Sequence, residues 1–190
     1  MRSSARGPLA FCAAALAVIA AAQEAGAPAA EAGDFAGARI GYSRAREADG
    51  GGLIAGAVLR HTIVAGVATE LAAQYRAEDT FDTDLSLRVI PVTLSMSLDL
   101  VPSIHMTGGI GWYVSRFDWK PPGTEDHTEN ELGFHYGVGF LLERPSGPQF
   151  AADLRYHAVG EEEFDDATGD RDDVSLDFWA AQVSILFRLR

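Results

Sequence analysis

At 190 residues the chain has room for one domain. Its 27 acidic residues against 15 lysines and arginines give a formal charge of −12, which argues against nucleic acid as a partner. A single cysteine, Cys12, excludes a disulfide framework and a cysteine metal site.

Arg2 and Arg6 precede an apolar run from Leu9 to Ile19, and Ala20, Ala21 and Ala22 then offer an A-x-A cleavage site. The run is shorter than the ~20 residues of a spanning helix. Residues 1–22 are therefore predicted to be a cleaved signal peptide that removes Cys12. Phe11, just before Cys12, does not fit a lipoprotein site. Residues 23–36, rich in Ala, Glu, Gly and Pro, are predicted to be a flexible leader.

From there the pattern has a period of two, which means β-strand. The first strand spans about 37–46, with Ile40 and Tyr42 on its apolar face; Asp49-Gly50-Gly51-Gly52 is a turn signal. A second, about 53–62, sets Leu53, Ala55, Ala57 and Leu59 against Gly56, Val58, Arg60 and Thr62. A third, about 66–76, sets Leu71, Ala73 and Tyr75 against Glu70, Ala72, Gln74 and Arg76. In the fourth, about 84–98, the apolar phase switches at Pro91 from Leu87 and Val89 to Val92, Leu94 and Met96. A one-residue bulge at Ile90-Pro91 would explain the switch.

The fifth and sixth strands, within Ile104–Glu143, alternate most strictly. Ile104, Met106, Ile110, Trp112 and Val114 oppose His105, Thr107, Gly109, Gly111, Tyr113 and Ser115. Beyond a polar insert, Lys120–Asn130, Leu132, Phe134, Tyr136, Val138, Phe140 and Leu142 oppose a glycine-rich row with His135. The seventh strand, about 150–160, sets Ala152, Leu154 and Tyr156 against Asp153, Arg155 and His157. An acidic loop at 161–173 leads to the last strand, about 174–189.

Eight long strands, each with one large apolar face and one small or polar face, suit lipid outside and a polar lumen inside. Short links alternate with longer acidic ones at 77–83, 119–130 and 161–173, as periplasmic turns alternate with extracellular loops. No 18-residue apolar run follows the signal, so the crossing is by strands. The predicted fold is all-β: an eight-stranded antiparallel up-and-down transmembrane barrel over 37–190, after a periplasmic leader. A soluble eight-stranded barrel or sandwich is the alternative; it would put its large apolar residues inward.

GIGWYVSRFD, ELGFHYGVGFLLE, FAADLRYH and the closing QVSILFRLR resemble the bacterial outer-membrane β-barrel domain family, the small OmpA-like and OmpX-like barrels. The resemblance covers about 37–190 and implies a place in the outer membrane. It also implies the barrel-assembly machinery as a partner, although the usual terminal aromatic is displaced, with Phe187 three residues before the end. The eight-stranded lipid A deacylases carry a serine two residues after their histidine. Here His157 is followed by Ala158-Val159, so that resemblance fails.

Arg60, Glu70, Arg76, His105, His135, Glu143, Asp153, Arg155, His157 and Arg188 fall on the inward face. An eight-stranded barrel is just wide enough for side chains to fill. Its inward charges must pair or stay hydrated. Arg60, Glu70, Asp153, Arg155, His157 and Arg188 are read as a network that plugs the lumen, with a narrow channel or carrier for small solutes as the alternative. His105, His135 and His157 show no short metal-ligand spacing. No nucleophile–base pair is visible, so no enzyme and no cofactor are expected. Asp165, Asp166, Asp170 and Asp172 make a weak Ca²⁺ candidate without EF-hand spacing. The expectation is a monomer with a structural or surface-interaction role, in contact with outer-membrane lipids and lipopolysaccharide.

Overall fold

The alternating stretches are strands in the computed structural model, which describes residues 33–46, 50–80, 85–119, 127–142, 147–165 and 171–189. They are β1 Gly33–Ala45, β2 Gly52–Val64, β3 Val67–Thr80, β4 Leu85–Val101, β5 Ile104–Trp119, β6 His127–Leu142, β7 Gln149–Ala158, β8 Glu161–Asp165, β9 Arg171–Ser175 and β10 Phe178–Arg188. Eight of them close antiparallel in the order β1-β10-β7-β6-β5-β4-β3-β2, and β8 pairs only with β9. Closure removes the free edges that an open sheet would expose in a bilayer.

The registers fix the geometry. A ladder followed from Phe35 runs through Arg60, Glu70, Ser95, Gly109, His135, His157 and Phe178. It returns to β1 at Ala45, a stagger of ten residues. At about 3.3 Å per residue and about 4.8 Å between strands, that stagger tilts the strands by about 40°. The outward row Leu132 to Leu142 of β6 then spans a band of about 25 Å, the apolar height of an outer-membrane barrel.

Four expectations are corrected. The strand begins at Gly33 and not at Gly37, because Gly33–Ala36 pair with Thr62–Leu59 of β2. No bulge lies at Ile90-Pro91: β4 stays in one register with β5 from Leu85↔Trp119 to Asp99↔His105. Pro91 lacks a donor and only interrupts the ladder to β3, which resumes at Arg76↔Val89 in unchanged register. The phase switch has another cause, namely that Leu87 and Val89 point into the lumen and are buried there.

The long links are also shorter than expected. β3 runs on to Thr80, β6 starts at His127, and much of 161–173 is the β8–β9 hairpin. The last strand is broken at Leu176-Asp177, where β9 ends and β10 begins. Strand pairing simply continues past the apolar band, since it satisfies backbone groups at no extra cost in side chains.

The two ends differ. At the turn end, β2–β3, β4–β5 and β6–β7 are joined by short links, and Gly66 and Ser103 take up positive φ of 78° and 71° there. At the loop end stands the β8–β9 hairpin. Outward Leu53, Leu94, Ile110, Val138 and Val183 are each more than half exposed. A soluble protein does not tolerate so continuous an apolar exterior. Tyr42, Tyr75, Trp112, Tyr156 and Trp179 form a ring at the loop-end edge of the band, with Tyr156 and Trp179 4.7 Å apart. Phe140, Phe150 and Phe187 lie toward the turn end.

Candidate functional site in the barrel lumen

The inward face is filled in layers. Phe35 and Leu186 at the turn end, with Val58 and Ala72 above them at the level of the charged residues, form one apolar cluster. At the loop end Ile54, Leu87, Val89, Tyr113, Val159, Leu176, Phe178 and Ala180 form another. Charged and polar residues are buried between and beside them.

The centre is a quartet of two arginines and two carboxylates. Arg39 of β1 donates from Nη1 and Nη2 to the two oxygens of Glu70, each at 2.8 Å. This reaches past β2 to β3. Arg39 Nε also donates to Ser184 Oγ at 2.7 Å, and its Nη2 stands 3.8 Å from Asp153. Arg155 of β7 crosses the lumen to Glu70 Oε1 at 2.9 Å and donates to Asp153 Oδ1 at 3.3 Å. His105 of β5 joins Asp153 at 3.0 Å. Bidentate geometry and charge balance are what a buried ionic group needs to offset its desolvation.

Toward the loop end a second group follows. His135, His157 and Phe178 are successive neighbours on one ladder. His157 stacks on Phe178 with centroids 4.3 Å apart and on His135 at 5.4 Å. Arg76 comes from β3 with its guanidinium 4.3 Å above the Phe178 ring. Sterics place it on the face opposite His157. Arg76 also pairs with Glu78 and donates to Ser43 Oγ at 3.0 Å. Tyr113 O–H lies 2.8 Å from His157 Nδ1.

The glycine row makes this packing possible. A Cβ on Gly111 would meet the Tyr113 ring at 2.7 Å, and one on Gly139 would meet His105 Nε2 at 2.5 Å and Asp153 Oδ1 at 2.6 Å. One on Gly137 would press on Arg155 Cγ at 3.0 Å.

Of the residues anticipated as a lumen network, Glu70, Asp153 and Arg155 meet in the quartet. Arg60 is buried beside Glu70, its direct cross-strand partner. His157 sits in the aromatic stack instead of the quartet. Arg188 is exposed at the turn-end mouth, 5.8 Å over the Phe35 ring. Glu143 lies outside the described residues, as do Asp166 and Asp170. Asp165 and Asp172 stand on β8 and β9, in register with Arg171 and Phe164.

Sequence reasoning missed Arg39, Glu78 and the inward Phe35 and Phe178, whereas it placed Tyr113 on the inward face. Arg39 shares parity with Phe35 and Ser43, and that signal was available. The expectation of no nucleophile–base pair needs correcting too. Ser95 Oγ lies 2.7 Å from His135 Nε2, because the two strands' residues are linked through Gly109 on one ladder. His135 Nδ1 has no hydrogen-bond partner among the described residues, so no carboxylate completes a triad. Among the described residues no group of three His, Cys, Asp or Glu side chains is disposed to hold a metal ion.

A closed eight-stranded barrel with a lipid-facing exterior and a packed polar lumen defines a small outer-membrane barrel. Residues 9–187 match the family described as outer membrane protein beta-barrel domain, and the chain belongs to that family. It is a bacterial outer-membrane protein. Among curated proteins none matches this sequence. Among solved structures, it is similar to a major outer membrane protein of Thermus thermophilus, with 12% identity and a TM-score of 0.58. That match covers 84% of this chain and 100% of the other. Neisserial surface protein A is similar at 13% identity and a TM-score of 0.55, covering 82% of this chain and 97% of that one. Outer membrane protein OprG of Pseudomonas aeruginosa is similar at 13% identity and a TM-score of 0.56, covering 83% and 97%. At such identities the likeness shows the fold alone.

Proposed function

We propose that this barrel has a lumen closed by its own side chains and acts through its surfaces, in envelope integrity or in presenting its acidic loops. The observation that carries this reading is the quartet of Arg39, Glu70, Asp153 and Arg155. It ties β1, β3 and β7 across the lumen, and an apolar cluster lies toward each end. A solute would have to break buried ion pairs and separate apolar contacts to pass. The short turns face the periplasm in this reading, and the β8–β9 hairpin faces outward. In planar lipid bilayers the folded barrel is expected to give no conductance steps. Regular ion-selective steps at low voltage would overturn the plug.

A small-solute channel or carrier is the second reading, and one observation favours it. Both amide atoms of buried Gln182, with Gln74 Nε2 and Thr107 Oγ1, have no hydrogen-bond partner among the described residues. Buried polar atoms of that kind are usually met by water, and a connected row of them would be a hydrated path. No enzymatic role is proposed. Ca²⁺ binding by the hairpin region around Asp165 and Asp172 is a separate expectation. Calorimetry with the folded barrel tests it, and no heat at millimolar Ca²⁺ removes it.

A further inference from the structure

The charges buried in the lumen do not cancel. Among the described residues, Arg39, Arg60, Arg76 and Arg155 are buried there against Glu70, Glu78 and Asp153. The quartet is neutral in itself, and Arg76 pairs with Glu78. Arg60 is the cation left over. It is only 6% exposed, yet its guanidinium has no hydrogen bond and no ion pair among the described residues.

The nearest carboxylate cannot serve it. Glu70 is the direct cross-strand neighbour of Arg60, but both of its oxygens are taken. Oε1 accepts from Arg39 at 2.8 Å and from Arg155 at 2.9 Å, and Oε2 accepts from Arg39 at 2.8 Å. Arg39 stands opposite Gly56, on the loop-end side of Arg60, so the quartet closes the lumen above it. Asp99, on an inward position of β4 at the turn-end mouth, is exposed and makes no ion pair with Arg60.

Arg60 is also within reach of solvent. Arg76 Nη1 and Arg155 Nε are fully enclosed without a partner, and no nitrogen of Arg60 is in that condition. Its free N–H groups therefore open on the turn-end mouth. One ladder there runs Arg188, Phe35, Arg60, so a second guanidinium lies across the Phe35 ring. Arg188 has contacts of its own. It adds positive potential, and Arg60 supplies the free donors. A guanidinium withdrawn from water is costly to leave unpaired, and its planar fork matches two oxygens of one anion.

We infer that the turn-end mouth of the lumen is a binding site for a small oxyanion of the phosphate class, held by the N–H fork of Arg60. A lipid headgroup does not supply this phosphate. Arg60 points into the lumen, while its neighbours Leu59 and His61 face the bilayer side. The site is entered from the turn end alone and is compatible with a closed lumen.

The test is the broadening of the ³¹P resonance of inorganic phosphate by the folded barrel. The barrel is held in a non-ionic, phosphate-free detergent, at ionic strength fixed with sodium chloride. The unaltered barrel broadens the line at millimolar phosphate. Arg60→Gln lowers the broadening at least about threefold, as loss of a charge-assisted pair implies. Arg116→Gln, which removes an exposed outward cation at the loop end, leaves it unchanged. Heat-modifiable gel mobility confirms that each variant is folded. If Arg60→Gln does not fold, Arg60→Lys decides, since it keeps the charge and loses the fork; it too lowers the broadening. Absence of broadening by the unaltered barrel overturns the site, as does equal broadening by the Arg60 variants. Equal losses in Arg60→Gln and Arg116→Gln reduce the effect to general charge and overturn it as well. Phosphatidylethanolamine added to the micelles leaves the broadening unchanged; displacement of phosphate by that lipid would move the site to the wall and overturn the lumen assignment.

Discussion

Arg39 and Glu70 face each other through two parallel hydrogen bonds of 2.8 Å, although they stand on strands that are not paired with each other. The guanidinium reaches past β2 inside the barrel. Arg155, from the opposite wall, shares the same carboxylate at 2.9 Å. Glu70 is thus the anion between two buried cations.

That position makes Glu70 the costliest charge to remove. Glu70→Ala leaves Arg39 and Arg155 buried near one another with Asp153 as the remaining carboxylate. Loss of a partner from a buried ionic group costs about 3–5 kcal/mol. The double change Arg39→Met with Glu70→Leu is expected to cost less than Glu70→Ala alone, since it strands no charge. Urea unfolding in lipid vesicles measures both. A Glu70→Ala barrel within about 1 kcal/mol of the unaltered one would contradict the role of the quartet.

Gly139 is expected to be intolerant for a side-chain reason. A methyl group there would press on His105 and on Asp153, both of which are buried and bonded to each other. Overpacking of this kind costs about 1–3 kcal/mol. Gly50, where a Cβ would meet nothing within 4 Å, serves as the comparison. Gly50→Ala should change stability by no more than about 0.5 kcal/mol.

Asp177 fastens the loop end. Its Oδ1 accepts from the backbone N–H of Val159 at 2.8 Å and of Gly160 at 3.2 Å, and its Oδ2 accepts from Tyr156 O–H at 2.6 Å. Its carbonyl also accepts from Arg46 N–H at 2.9 Å. These bonds join both roots of the β8–β9 hairpin to the barrel. Asp177→Ala should lower stability by about 1–3 kcal/mol and hasten proteolysis at 161–175, while Tyr156→Phe should have the smaller effect. Unchanged cleavage rates would show that the hairpin is held elsewhere.

The lipid-facing assignment predicts a dependence on depth. Leu94 lies near mid-height of the apolar band and Leu132 near its loop-end edge; both are well exposed. Leu94→Arg should destabilise the folded barrel in vesicles by about 2–4 kcal/mol, and Leu132→Arg by about 0–1 kcal/mol. In a soluble barrel the two would be equally mild, so similar values would count against a bilayer around this wall.

Much of the architecture follows from the sequence through a local rule. Successive strand residues point to opposite faces, so the rows Leu132–Leu142 and Ile104–Val114 declare one apolar face wherever the strand is placed. The same parity set Glu70, Asp153, Arg155 and the three histidines inward, and the structure puts them there. What parity cannot supply is height and partner. Arg39 and Glu70 are 31 residues apart and meet because the β1–β2 and β2–β3 registers set them on either side of β2, with the barrel's curvature turning both side chains inward. The β7–β10 register likewise puts His157 against Phe178 instead of in the quartet. Parity is equally silent about layers. Leu87 and Val89 read as a change of phase, whereas the folded chain uses them to fill one end of the lumen with apolar side chains. The alternation along each strand is a property of covalent geometry and was present before folding. Which inward groups neutralise one another depends on the register of eight strands around a closed ring, and only the tertiary structure decides that.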